Sequence, residues 1–313
     1  MSDKYLVTGG AGFIGSNIVE ELLRRGHKVR VLDNFSTGKR ENVKRFARSN
    51  DFELIEGDLR SFHIVRAVVK GVDFVLHQGA LPSIPRSIND PITSNDVNIL
   101  GTLNILEAAK EFDVRRVVYA SSSSIYGNSK QSPKVEDMAV EPLSPYALTK
   151  YAAERYCQMY YNLYGVETVC LRYFNVFGPN QDPASQYSAV IPKFISLINQ
   201  NTSPIIFGNG IQSRDFTHVV NNIQANILAC EAKGVGGEVF NIACGESFTL
   251  LQLITTINGI LGKDIKPTFE KARAGDVMHS IASIEKAKAK LGYKPLVSFK
   301  EGLRMTVNSF AQS

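Results

Sequence analysis

The chain has 313 residues, 44% of them hydrophobic, with a formal net charge of +5. That content is enough for one large or two linked domains, and no run approaches the ~18 apolar residues of a membrane span. The basic pairs (Arg24-Arg25, Lys39-Arg40, Lys44-Arg45, Arg115-Arg116) stand near acidic residues rather than in a stripe with aromatics. A nucleic-acid partner is therefore disfavoured, while mild basicity suits a small anionic substrate.

In chain order, KYLVT reads as a short strand, followed by a glycine-rich turn. FIGSNIVEELLRRG then carries apolar residues at Ile14, Ile18, Leu22 and Leu23, a helical period that stops at Gly26. KVRVLD, FELIEGD, DFVLHQGA, RRVVYASSS and VETVCLRYF read as further strands. HIVRAVVKG, TLNILEAAKEF and YALTKYAAERYCQMYYNLYG read as the helices between them. Such alternation predicts an α/β fold with a parallel sheet, covered on both faces and joined by right-handed crossovers. After about residue 178 the pattern loosens into GPNQDPASQYS, GNGIQSRDF and GKDIKPTFEKARAGD, which suggest a smaller, irregular lobe. The expected division is 1–178 and 179–313. GGEVFNIAC reads as one more strand, so the segment near 216–245 is a candidate to return to the main sheet.

The four cysteines (Cys157, Cys170, Cys230, Cys244) form no C-x-x-C pair and read as reduced thiols. The five histidines lack metal-ligand spacing, so no metal is expected. The opening MSDKYLVTGG has no signal-peptide pattern, and the expected compartment is the cytosol.

VTGGAGFIGS holds Gly10-x-Gly12-x-x-Gly15 between a strand and a helix. In that position the spacing fits a dinucleotide: a tight turn, a close backbone approach to pyrophosphate, and close strand–helix packing. The helix N-terminus adds free N–H groups and partial positive charge. Asp33 ends the second strand, 18 residues past Gly15. There a carboxylate accepts bonds from a ribose 2′-OH and repels a 2′-phosphate, which favours NAD over NADP. The plain alternative is a tight turn with no ligand.

SPYALTK places Tyr146 four residues before Lys150. Alone, this reads equally well as the amphipathic start of a helix. In company it does not. TGGAGFIGS, GDLR (57–60), HQGA (77–80), NILGT (98–102), SSSSIYG (121–127), SPYALTK, LRYFNVFGP (171–179), SRDFTHV (213–219) and RAGD (273–276) occur in order, nearly end to end. Together they resemble the extended short-chain dehydrogenase/reductase family, and within it the nucleotide-sugar 4-epimerases. ALPSIPRSINDPITSN is most similar to the UDP-N-acetylhexosamine branch.

The resemblance implies a Rossmann-type doubly wound sheet with a smaller mixed carboxyl-terminal substrate lobe. It implies that Tyr146 is the catalytic base, assisted by Ser122, with Lys150 also bonding the nicotinamide ribose. A free phenol titrates near ~10, and an ammonium one helical turn away would favour the phenolate. For Ser121 the plain reading, a strand end, is the better one. Ser123 and Ser124 stand where related 4,6-dehydratases carry an Asp-Glu pair, so the acid and base for water elimination are missing.

By the same resemblance the NAD site takes Gly9, Gly12, Phe13, Ile14, Gly15, Asp33, Asn34, Ser36, Gly38, Asp58, Leu59, Gln78, Gly79, Ala80, Asn98 and Tyr173. The UDP-sugar site takes Ser83, Arg86, Ser123, Ser124, Asn175, Val190, Ile205, Phe207, Arg214, Arg273, Asp276 and Ser280. Guanidinium forks at Arg214 and Arg273 suit diphosphate oxygens, although surface ion pairs are the commoner fate of an arginine. Pro82 replaces a lysine of the glucose-type members, which weakens the expected hold on the cofactor. Ser280 aligns with a gate that is tyrosine in glucose-restricted members, leaving room for a 2-acetamido group. The expected activity is NAD-dependent 4-epimerisation of UDP-GlcNAc/UDP-GalNAc, with UDP-Glc/UDP-Gal poorer, by a homodimer; helices 95–111 and 147–164 are the candidates to pair, and their apolar residues read equally well as internal core. The alternatives are a UDP-glucuronate epimerase or decarboxylase, a UDP-sugar 4-reductase, or an NAD-sensing scaffold.

Overall fold

A computed structural model describes residues 2–182, 189–271 and 278–311. Seven strands form the central sheet: β1 (Lys4–Thr8), β2 (Lys28–Asp33), β3 (Phe52–Glu56), β4 (Phe74–His77), β5 (Arg116–Ser122), β6 (Thr168–Tyr173) and β7 (Glu238–Ile242). Their order is β7-β6-β5-β4-β1-β2-β3, and every pairing is parallel. The order reverses at β1, between β2 and β4, and a crevice opens there beyond the carboxyl ends of the strands.

Strand alternation sorts the side chains into two cores. Tyr5 and Val7 pack with Ile18 and Leu22 of α1 (Phe13–Arg24), and with the helix Val219–Glu231 through Ile223 and Ile227. Leu6 faces the other way, into a layer with Val65 and Val68 of α2 (Phe62–Val69), Ile105 and Leu106 of α3 (Gly101–Glu111), and Ala153 and Cys157 of α4 (Pro145–Tyr164). All seven strand readings correspond to strands of this sheet. β3 differs in burial: it is an edge strand with Leu54 exposed and Glu53 paired to Arg30, a charged edge that discourages further pairing.

The stretch that reads as loops after residue 178 is more regular than its composition suggests. Helices Val190–Asn199, Leu250–Leu261 and Phe299–Ala311 share a third core containing Phe194, Ile257 and Leu303. Phe299 stacks on Phe248 at 4.1 Å between centroids. Small sheets pair Ser213–Arg214 with Phe248–Thr249 and with His279–Ser280, and Ile205–Phe207 with Thr268–Glu270. Turn-rich connections hid these helices because each apolar stripe is short.

Among the described residues no helix is long and apolar enough to cross a membrane, and no group of His, Cys, Asp or Glu could hold a metal ion.

Candidate active site

The glycine turn is forced by space. Gly9 has φ +66°, and its N–H donates to the Leu32 carbonyl at 2.8 Å. A Cβ on Gly15 would stand 2.2 Å from the Gly9 carbonyl oxygen, so only glycine lets α1 pack this close to β1. Helix α1 starts at Gly12 with no side-chain cap and no acidic residue in its first turn, leaving N–H groups and the helix dipole for an anion.

Asp33 lies beside this turn. Its Oδ2 accepts from the Ala11 N–H at 2.9 Å and its Oδ1 from the Phe35 N–H at 2.8 Å. Burial raises its pKa against those two bonds. Asn34 donates to Asp58 Oδ2 at 2.9 Å. Asp58 is held far below the usual carboxylate range, chiefly by its bond from Arg60. Across the crevice, Gln78 accepts from the Tyr173 hydroxyl at 3.2 Å and donates to Asn226 at 3.1 Å.

Helix α4 brings the phenol in. Ser144 caps it by accepting from the Ala147 N–H at 3.1 Å, Pro145 fills the first turn, and Gly165 closes it in the left-handed conformation. The Tyr146 N–H, which has no partner within the helix, donates to Ser87 Oγ at 3.0 Å. Ser122, at the end of β5, stands against the Tyr146 side chain and favours its ionised form. Its Oγ also accepts from the Ser124 hydroxyl at 2.9 Å and the Ser124 N–H at 3.2 Å. The lysine acts otherwise than its spacing suggests. Lys150 Nζ donates to the Ala120 carbonyl at 2.8 Å, over the face of Tyr119. Burial raises the Tyr146 phenol, and the opposing effect comes from Ser122, not from Lys150. Burial lowers Lys150 to about 8.

These groups share one cavity of about 950 Å3, at the upper end of the range for ligand sites. Its wall includes Gly9, Gly12, Phe13, Ile14, Gly15, Asp33, Asn34, Ser36, Asp58, Leu59, Gln78, Gly79, Ala80 and Tyr173. The same wall holds Ser122, Tyr146 and Lys150, together with Ser83, Arg86, Ser123, Ser124, Asn175, Arg214 and Ser280. Two residues of the wall have unusual backbones: Ser83 at φ +101° and Asn175 at φ +34°.

Five expected residues stand outside that wall. Gly38 backs onto Asp33, where a Cβ would come within 2.9 Å of Ala11. Asn98 is buried behind it, bonded to both backbone groups of Leu81 and to Thr149 Oγ1, so it braces the wall rather than forming it. It lies in a π-helical turn, Asp96–Leu100, that leads into α3. Val190 opens the helix Val190–Asn199 next to the wall residue Ala189. Ile205 and Phe207 flank the buried Ile206 on a small strand and lie apart from the wall. Arg273 and Asp276 lie outside the described residues.

Other wall residues gave no local signal, among them Asn128, Leu143 and Lys134. Lys134 is buried, with Nζ bonded to the carbonyls of Ser129 and Gln131. His77 of HQGA lies behind the wall between Thr8 and Thr102, 2.7 and 3.0 Å away. Burial, with Lys150 adding to it, lowers His77 to about 3, so it is a neutral structural group and not a base.

A model of the NAD dependent epimerase/dehydratase family matches residues 5–243. The chain belongs to that family. It is 38% identical over 312 residues to UDP-glucose 4-epimerase of Mycolicibacterium smegmatis, covering 97% of each chain. Among solved structures it superposes on a UDP-N-acetylglucosamine 4-epimerase from Methanobrevibacter ruminantium M1, in complex with UDP-N-acetylmuramic acid. That match has a TM-score of 0.95 and 40% identity, over 99% of both chains. It also superposes on UDP-glucuronic acid 4-epimerase from Bacillus cereus, in complex with UDP-glucuronic acid and NAD, with a TM-score of 0.91 and 33% identity over 99% of both chains. The family's cofactor is NAD, and the residues present fit it. A Cβ on Gly9, Gly12 or Gly15 would meet backbone, the α1 N-terminus is uncapped, and Asp33 stands beside both.

Proposed function

We propose that this protein interconverts UDP-hexoses epimeric at C4, with NAD regenerated in each cycle, and that it prefers sugars bearing a 2-acetamido group. The observation that carries the reading is the convergence of Ser122, Tyr146 and the glycine turn on one cavity. The family includes dehydratases, and Ser123 and Ser124 argue against that branch: a serine pair supplies neither acid nor base for removing water.

In this reading Tyr146 takes the proton from the sugar O4. Ser122 bonds the same oxygen, its own Oγ oriented by the Ser124 hydroxyl. NAD, when bound, supplies the hydride acceptor and donor at C4. Asp33 would hold the adenosine ribose, the α1 N-terminus the pyrophosphate, and Lys150 the nicotinamide ribose. Arg214, Arg273 and Asn175 would hold the UDP moiety while the 4-keto sugar turns over. Residues 1–178 would form the cofactor domain, with β7 joining its sheet, and 179–313 the UDP-sugar lobe. Lys150 is buried in the wall of the same cavity as Tyr146, with its pKa lowered to about 8, an arrangement an NAD-sensing scaffold has no use for.

The acetamido preference rests on Ser280. It is small and half-buried in the cavity wall, with Ser83 and Arg86 in the same wall to bond the acetamido group. UDP-glucuronate is the second reading, because Arg86 and Lys134 place two cations in the wall. A homodimer in the cytosol completes the proposal. The exposed Leu100, Leu148, Met159 and Leu163 lie on the two helical segments that would pair.

Separate incubation with UDP-GlcNAc, UDP-Glc and UDP-glucuronate, followed by product analysis, tests the reading. The expected result is a C4 epimer, formed fastest from UDP-GlcNAc, with no net NADH. A decarboxylated or reduced product would overturn it.

A further inference from the structure

Helix α4 touches the end of β5 at three successive turns. Tyr146 meets Ser122, Lys150 meets the Ala120 carbonyl, and Glu154 accepts from the Ser121 hydroxyl at 2.7 Å. The three helix residues are spaced four apart and so share one face. The first two contacts belong to the site described above. The third continues into a buried group that the reaction does not use.

Glu154 and Arg172 are both almost wholly buried. Arg172 grips both carboxylate oxygens, Nη2 to Oε1 at 2.7 Å and Nε to Oε2 at 3.1 Å. Ser121 and Arg172 are cross-strand partners on β5 and β6, next to the pair Ser122 and Tyr173. Glu154 therefore sits over two strands at once. The remaining arm of Arg172, Nη1, donates to the Tyr126 hydroxyl at 2.7 Å and the Glu136 carbonyl at 2.9 Å. Tyr126 closes the short turn Ser123–Tyr126 that holds Ser123 and Ser124 in the cavity wall.

A buried ion pair is a poor device for stability, because desolvating both charges offsets their attraction. What a two-pronged guanidinium–carboxylate contact supplies is geometry: it accepts one position and one orientation. Apolar contacts between α4 and the sheet resist sliding far less, since a small shift exchanges one methyl contact for another. We propose that Ser121, Glu154 and Arg172 are positioning residues that fix the register of α4 against β5 and β6, and thereby set the Ser122–Tyr146 contact. The link to turnover rests on the epimerase reading; the link to the Tyr146 contact does not.

The test uses the full chain with NAD, labelled with carbon-13 at the tyrosine phenol carbon, the Tyr146 signal being assigned by its loss in Y146F. Three variants are compared with wild type: S121A, E154Q, and the apolar pair E154L/R172M. The apolar pair leaves no unpaired buried charge, and S121A removes one hydroxyl, so folded protein is available for the comparison. In S121A and E154L/R172M the Tyr146 signal is expected to move from its wild-type position. Their kcat should fall about tenfold, with KM within about twofold, as expected for a shifted reacting group rather than a lost binding contact. E154Q keeps the shape and an acceptor, and should fall between these variants and wild type. A folded E154L/R172M with a wild-type Tyr146 signal overturns the proposal. If wild type turns over no UDP-sugar, the epimerase reading fails, and the signal comparison still decides the register.

Discussion

Lys150 Nζ donates to the carbonyl oxygen of Ala120 at 2.8 Å, which ties the ammonium to β5. Burial lowers its pKa from 10.5 to about 8. The folded value lies below the unfolded one, so between about 8 and 10.5 the unfolded chain carries the extra proton, and stability from this group rises with pH. Denaturation in urea at about pH 7.5 and about pH 9.5 should show wild type gaining on K150M at the higher pH. An unchanged difference would mean that Lys150 does not titrate in this window.

Tyr146→Phe removes the proposed proton acceptor and the hydroxyl beside Ser122, and leaves the glycine cradle untouched. Turnover should drop by roughly 10²–10⁴-fold, the usual contribution of a general acid–base group. Calorimetry should find NAD binding close to that of wild type. Lost binding with lost turnover would assign Tyr146 to the cofactor rather than to the chemistry.

Gly15→Ala puts a Cβ 2.2 Å from the Gly9 carbonyl oxygen and 2.8 Å from Gly10 Cα. Both are backbone, so α1 must back away from the turn. The expected results are a stability loss of about 1–3 kcal/mol and a measurable fall in NAD affinity. Thermal unfolding with and without NAD reads both, and the stabilisation that NAD confers should shrink.

Ser280→Tyr narrows the cavity where the proposed acetamido site lies. Turnover of UDP-GlcNAc should fall by at least about tenfold relative to UDP-Glc, since a phenol ring takes the space of the acetamido group. Competition between the two substrates in one tube measures the ratio directly. An unaltered ratio would place the acetamido group elsewhere.

Part of this protein was legible in one dimension. Strands β1 to β7 follow from short runs of β-branched residues, and α1 and α4 from a helical apolar period with glycine at its end. The glycine turn and Asp33 are separated by a fixed βαβ spacing, so they are brought together by local geometry alone. Ser122 and Tyr146 could be paired because their segments each match a motif of the family. The helices after residue 178 were harder, since their stripes are short and broken by loops.

What only the folded chain decided are contacts between residues distant in sequence. Lys150 and Ala120 are 30 positions apart, Ser121 and Glu154 are 33, and Arg172 and Glu154 are 18. The Y-x-x-x-K spacing places an ammonium one turn from a phenol, but it cannot say that a strand carbonyl will lie closer. Nor does any pattern show that Asn98 turns inward to Leu81, or that Lys134 folds into the cavity wall. Periodicity and turn chemistry act between near neighbours, whose geometry the backbone itself limits. Which polar group a buried side chain meets depends on how whole layers pack, and that is settled only when the sheet and its helices come together.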